Sequence, residues 1–334
     1  MSGSIGGRWL DLPEPTIGAV LGGVTGALSA TAEGPTPLQW DLLTAVARHV
    51  LQSSLVPQDV PRLAPDELAA AVTDPGHRAL AVHLMVTLEL ALHPVPAEIA
   101  RSVGRYARAV DVAEPMVEAA RRFADHQLAL MYLDIQRSSE FTERTISGIR
   151  HGRFLRLLRN KLAYENVLPD RQIAARWRAL DSCPEGSWGR AVAAFYHEHR
   201  FPYPGERRGI SEVGARHDWV HVLAGYPPTP EGEIDVFALI AAASPDPRGF
   251  TQFAMTLGLF QNGAIHHVAG KRIVIARTDT LADPGAPDRW ADALRRGAAC
   301  AADVLNLDHF AWKDIDLEDA RSRLSLGSKQ VPDP

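Results

Sequence analysis

The residues with the clearest chemical capacity are His217, Asp218, His221 and Glu233. Imidazole nitrogens and carboxylate oxygens together suit divalent metals of intermediate softness, so this N₂O₂ set fits Zn²⁺ first, with Fe²⁺ or Mn²⁺ as alternatives. Their spacing predicts convergence. An α-helix advances by about 100° per residue, which puts His221 about 40° from His217 and about 60° from Asp218. Gly225 fits a helix C-cap, and Pro227 and Pro228 force a turn. Thr229 is a natural N-cap with Pro230 at the first helical position. Glu233 then lies one turn into a second, antiparallel helix and can face the first. A metalloprotease would need Glu directly after the first histidine as general base, and Asp218 stands there instead.

The other histidines read as ordinary surface or core residues. His197 and His199, two apart, point to opposing helix faces, while His266 and His267 sit in an apolar stretch. No Gly-x-Gly-x-x-Gly follows a strand, no P-loop spacing occurs, and no Gly-x-Ser-x-Gly elbow is present. Catalytic and organic-cofactor residues therefore stay unassigned. Thirty-five Lys and Arg against forty Asp and Glu give a net charge of −5, which argues against nucleic acid as a partner. Cys183 and Cys300 form no Cys-x-x-Cys pair, so neither a disulfide framework nor a thiolate zinc site is expected.

The elements that must position the site are helical. The sequence predicts an all-α chain in two helical domains, the C-terminal one carrying the metal-binding helix pair. Residues 1–36 are expected as a flexible N-terminal segment, since four glycines interrupt the apolar run from Ile17 to Ala32. That run also lacks the basic front of a secretory signal. Residues 37–140 form the first domain, with breaks at Asp74–Gly76 and His93–Pro96 and a long helix over about 115–138. Residues 141–165 form a basic amphipathic linker helix: six basic side chains from Arg144 to Lys161 accompany a stripe of Ile146, Ile149, Phe154, Leu157, Leu158 and Leu162. Such a helix either packs on the next domain or lies on an anionic membrane surface. Residues 166–326 make the second domain, with helices over 171–180, from Trp188, over 288–307 and over 317–324, and residues 327–334 a tail. The largely apolar stretch Gly249–Ala269 reads either as close-packed core or as the lining of a lipid cavity. Ile273–Ile275 is strand-like but too short to imply a sheet.

Two resemblances refine this reading. His217, Asp218, His221 and, after eleven residues, Glu233 match the signature of the coenzyme Q biosynthesis protein 4 family. Leu180, Pro184 through Arg190, Thr229, Gly232, Trp290, Arg296, Gly297, Trp312 and the helix over 317–324 resemble that family as well. The likeness covers roughly Leu155 to Leu326 and implies those four residues as metal ligands beside an apolar groove. It implies a place in ubiquinone or related quinone biosynthesis, at loss of the C1 carboxyl from a polyprenylated benzoate head group. The alternative is a non-catalytic polyprenyl-lipid carrier or assembly scaffold with a structural metal. Implied partners are the isoprenoid quinone precursor and a quinone-biosynthesis complex, with peripheral contact at the inner face of the cell membrane; apart from the resemblance, a second copy of the chain is a candidate partner, and the two lone cysteines make the reducing cytoplasm the expected location. The N-terminal half, roughly Leu38 to Asp134, resembles the TerB-like helical domain, although His93 and Pro94 stand where that family usually places an acidic Asp-Gly pair.

Overall fold

The computed structural model describes residues 10–113, 117–118, 169–244, 247–261 and 279–332. Twelve α-helices and no strand are present among the described residues, so the all-α expectation holds. They are α1 (Glu14–Leu28), α2 (Pro37–Ala45), α3 (Pro65–Ala71), α4 (Pro75–Leu90), α5 (Ala97–Ala109) and α6 (Arg171–Arg178). There follow α7 (Trp188–Glu198), α8 (Arg216–Ala224), α9 (Pro230–Ala243), α10 (Pro247–Phe260), α11 (Ala286–Ala299) and α12 (Leu317–Arg323). Ser187 and Asp316 form one isolated antiparallel bridge. Most of the helix expected over 115–138, the whole basic segment 141–165, the strand-like Ile273–Ile275 and the pair His266–His267 lie outside the described residues.

Local chemistry sets many of the boundaries. Thr36 and Gln39 form a reciprocal capping box that opens α2, with Thr36 N donating to Gln39 Oε1 at 2.9 Å. Asp74, expected only as a breaker, is the N-cap of α4: its Oδ1 accepts from the backbone of Gly76 and His77 at 2.8 and 3.0 Å. Pro75 therefore starts the helix rather than delaying it. The break at His93–Pro96 falls where the prolines put it, and α5 begins at Ala97. The helix expected over 288–307 ends at Ala299, because Cys300 turns to an extended backbone.

Two expectations are corrected. The segment 1–36 is not wholly flexible, since its residues 14–28 form α1, whose Val20, Leu21, Val24 and Leu28 are fully buried. The glycines that argued against a helix are contact points. A Cβ at Gly22 would overlap the Pro61 carbonyl oxygen, and one at Gly26 would overlap Tyr106 Oη and the Leu63 carbonyl oxygen. Tertiary contact thus outweighs the roughly 1 kcal/mol helix penalty of each glycine. The second correction concerns the two domains. Buried side chains from both halves belong to one contiguous core. Helix α11 packs on α2 and on the π-turn Val46–Val50 that continues it, and α10 packs on α4. Gln261 Nε2 donates to Ala91 O at 2.8 Å across this junction, and His49 Nε2 meets Asp288 Oδ1 at 2.9 Å. The two halves share an interior because α10 and α11 bury apolar faces against α4, α2 and the π-turn of the N-terminal half.

The contact most relevant to the site is between α9 and α11. At Gly297 an added Cβ would overlap the Leu239 carbonyl oxygen, so this crossing tolerates no side chain. Gly297→Ala is expected to destabilise the fold by about 2 kcal/mol, within the usual range for overpacking. Thermal unfolding of the variant checks this, and an unchanged midpoint would show that the crossing can open without cost.

Candidate metal centre

Helices α8 and α9 form the predicted helix–turn–helix. Gly225 ends α8 in the left-handed region at φ 75°, with its N–H bonded to His221 O at 2.8 Å. Thr229 Oγ1 caps α9 by accepting from Gly232 N at 3.2 Å, and Pro230 is the first helical residue. The turn folds Glu233 back against α8. His217, His221 and Glu233 each offer one ligand atom, all within 4.8 Å of one another. Glu233 Oε1 lies 3.3 Å from His221 Nε2, and Oε2 lies 3.8 Å from His217 Nε2. In a tetrahedral zinc site the ligand atoms stand about 3.3 Å apart, the spacing that Glu233 Oε1 and His221 Nε2 already have.

Each imidazole is held for ligation. His217 Nδ1 donates to Gly214 O at 2.5 Å, and His221 Nδ1 donates to Tyr226 O at 3.1 Å. A carbonyl oxygen only accepts, so each Nδ1 carries the proton and each Nε2 offers a lone pair in the neutral ring. His221 is fully buried, and its Nε2 lacks an aligned hydrogen bond despite its closeness to Glu233. A buried nitrogen of that kind is costly unless something occupies its lone pair. Aromatic rings fix both imidazole planes: Phe237 stacks on His217 at 5.4 Å between centroids and Phe195 on His221 at 5.9 Å.

Asp218 is adjacent to the triad but differently engaged. Its Oδ2 accepts from Tyr196 Oη on α7 at 2.5 Å, and its Oδ1 lies 3.2 Å from His217 Nε2. The expected four-residue set therefore resolves into three convergent donors and a fourth carboxylate with one oxygen already committed. Side-chain exposure is 0% for His221, 10% for Asp218, 16% for His217 and 19% for Glu233, which places the open side at His217 and Glu233.

The electrostatics follow from this packing. Burial opposes a charged His217, yet the carboxylates of Asp218 and Glu233 and the Gly214 carbonyl hold its titration above the ordinary imidazole value. Burial raises Asp218 above the usual carboxylate range, against the pull of His217, the Tyr196 hydroxyl and His221. For Glu233 burial also acts upward, but contact with His221 and the charges of both histidines leave it below its ordinary value. Burial, with Asp218 beside it, pushes the Tyr196 phenol far upward, so it remains a donor.

Behind the site, Trp177, Trp188 and Trp219 pack edge-to-face, and Trp188 Nε1 donates to Trp219 O at 3.1 Å. This cluster braces α8 from the side opposite the ligands. Sequence reading missed Tyr196, Phe195, Phe237, Gly214 and Tyr226. Gly214, Tyr226 and Phe237 are close in sequence to the ligands, three residues before His217, just after the Gly225 cap and one turn after Glu233, whereas Phe195 and Tyr196 reach the site from α7 through tertiary contacts. His197 behaves as an ordinary surface histidine, pairing with Asp181 at 2.6 Å. The described part of the expected lipid lining is packed core, since Phe250, Phe253 and Leu257 are buried. Among the described residues no helix is long and apolar enough to cross a membrane. No protein-family model, curated protein or solved structure matches the chain.

Proposed function

We propose that His217, His221 and Glu233 hold one divalent metal ion, zinc in the first instance, in a protein acting on the head group of a polyprenylated benzoate in quinone biosynthesis. The observation that carries the metal assignment is the pairing of convergent Nε2 atoms with Nδ1 atoms tied to backbone carbonyls. The quinone assignment is carried by the motif's resemblance to the coenzyme Q biosynthesis protein 4 family. Three protein ligands leave a coordination position open, which is the arrangement of catalytic rather than structural sites. When bound, such a metal supplies Lewis-acid polarisation of a carboxylate or, if redox-active, a route for oxygen chemistry. The chain's own residues bind and orient. Glu233 and His217 form the accessible edge, Phe195 and Phe237 hold the imidazole planes, and Asp218 holds the hydrogen bond of Tyr196 beside the ligands.

The second reading is a lipid carrier or scaffold with a structural metal, and Asp218 favours it by having Oδ1 close enough to complete a closed N₂O₂ set. Elemental analysis of the purified protein, joined with mass spectrometry of its extracted lipid, tests both. A stoichiometric metal with a prenylated aromatic acid supports the enzyme reading, and a metal with an unmodified isoprenoid supports the carrier. Asp218→Asn separates the coordination modes. It is expected to lower metal affinity about tenfold if Asp218 only orients its neighbours, and far more if Oδ1 is itself a ligand. Absence of metal after incubation with zinc, iron or manganese would remove the basis of both.

A further inference from the structure

The carbonyls that end α8 have no partner within the helix, as at any helix C-terminus. Each accepts instead from a cationic side chain distant in sequence. Arg321 on α12 donates through Nη2 to Val222 O at 3.3 Å and through Nε to Leu223 O at 2.7 Å. Arg296 on α11 donates through Nη1 to Ala224 O at 3.0 Å, and Lys329 Nζ donates to Gly225 O. Cations offset the partial negative charge of a helix C-terminus, and their hydrogen bonds are stronger than those between neutral groups.

Arg296 is the unusual member of this set. It is 3% exposed, and among the described residues no carboxylate lies within ion-pair distance of it. Its Nε donates to Gly327 O at 2.8 Å, and its guanidinium carbon lies 5.1 Å from the centroid of the Tyr226 ring. A buried guanidinium without a counter-ion is costly, so stability alone gives little reason for a charge here. The segment after α12 is fastened beside it. Gln330 N donates to Asp292 Oδ2 at 3.0 Å, and Arg295 Nη2 donates to Ser328 O at 3.1 Å. These bonds bring Lys329 Nζ to 4.7 Å from the same Tyr226 ring.

Both cations thus converge on the residue whose carbonyl accepts from His221 Nδ1 at 3.1 Å. The N–H groups of Gly225 and Tyr226 bond His221 O, which closes the helix but leaves the direction of the Tyr226 carbonyl open. Cation contacts on the Tyr226 ring and on the preceding carbonyl fix it.

We propose that Arg296 and Lys329 are positioning residues for the metal ligand His221. By holding Tyr226 against the end of α8 they keep its carbonyl on Nδ1, which leaves Nε2 free to ligate. The inference rests on His221 being a ligand, as proposed above, but its first test needs no metal.

Long-range proton–nitrogen NMR spectra of the metal-free full chain at about pH 9, where an imidazole is neutral, report which nitrogen of His221 carries the proton. The wild type is expected to show the Nδ1–H tautomer. Arg296→Met and Lys329→Met should each move the proton towards Nε2 and lower zinc affinity about tenfold in chelator competition, as loss of an outer partner does. Lys329→Arg should restore both. Arg321→Met is the structural control, because Arg321 bonds α8 without contacting the Tyr226 ring: it should lower the melting temperature and leave the tautomer alone. Lys329 is partly exposed, so its variant decides the matter if Arg296→Met fails to fold. An unchanged tautomer in Lys329→Met, no rescue by arginine, or an equal shift in Arg321→Met would overturn the proposal. A tautomer shift in a protein whose wild type takes up no zinc would support the hold on His221 and refute the metal assignment instead.

Discussion

Replacing His221 with alanine is expected to reduce divalent-metal affinity by more than about 100-fold. Loss of an outer partner of a metal ligand already costs about 10- to 100-fold, and His221 is proposed as a direct ligand. The buried Nε2 has no substitute nearby, since the remaining donors are His217, Glu233 and a carboxylate whose Oδ2 is held by Tyr196. Glu233→Gln should also weaken binding, but with the helix pair intact, because the capping by Thr229 and Gly225 does not involve the carboxylate. Acid should weaken binding in the wild type. A ligating imidazole must be neutral, and His217 holds its proton to a higher pH than a free histidine, so affinity should begin to fall above the ordinary imidazole range as pH is lowered. Competition against a chromophoric chelator across pH measures all three effects. Equal affinity in wild type and His221→Ala would place the metal elsewhere.

Glu89 is expected to make the fold markedly less stable in alkali than in acid. It lies in α4, 1% exposed, and its Oε1 has no hydrogen-bond partner among the described residues. Burial raises its titration from 4.5 to about 8. Below pH 4.5 the carboxyl is protonated whether the chain is folded or not, and no penalty arises. As pH rises further, the unfolded chain ionises while the folded one keeps the proton. Stability therefore declines until the folded group itself titrates near pH 8. The total loss is on the order of 5 kcal/mol, at about 1.4 kcal/mol for each pH unit of separation. Glu89→Gln removes that dependence. Denaturant unfolding of both proteins from about pH 5 to about pH 9 should show the curves diverging by about 4 kcal/mol of that total, with the variant favoured at the alkaline end. Parallel curves would mean that Glu89 has a partner in the folded chain that stabilises its charge.

The helical character and the local form of the site were legible in the sequence. His217, Asp218 and His221 share one helix face by periodicity, and the Gly225, Thr229 and Pro230 signals define the turn that returns Glu233 to them. These depend on residues close together in the chain, where backbone geometry and capping leave few alternatives. Tertiary structure decided the rest. It divided the four candidate ligands, because Tyr196, twenty-two residues from Asp218, takes one oxygen of that carboxylate. It supplied Phe195 from α7, which stacks on the His221 imidazole. It turned the glycines of residues 14–28 from helix breakers into packing contacts, since Pro61, Leu63 and Tyr106 approach where side chains would stand. It also merged two sequence-defined halves into one interior, because an apolar helix face records that it must be buried but not which distant helix will cover it.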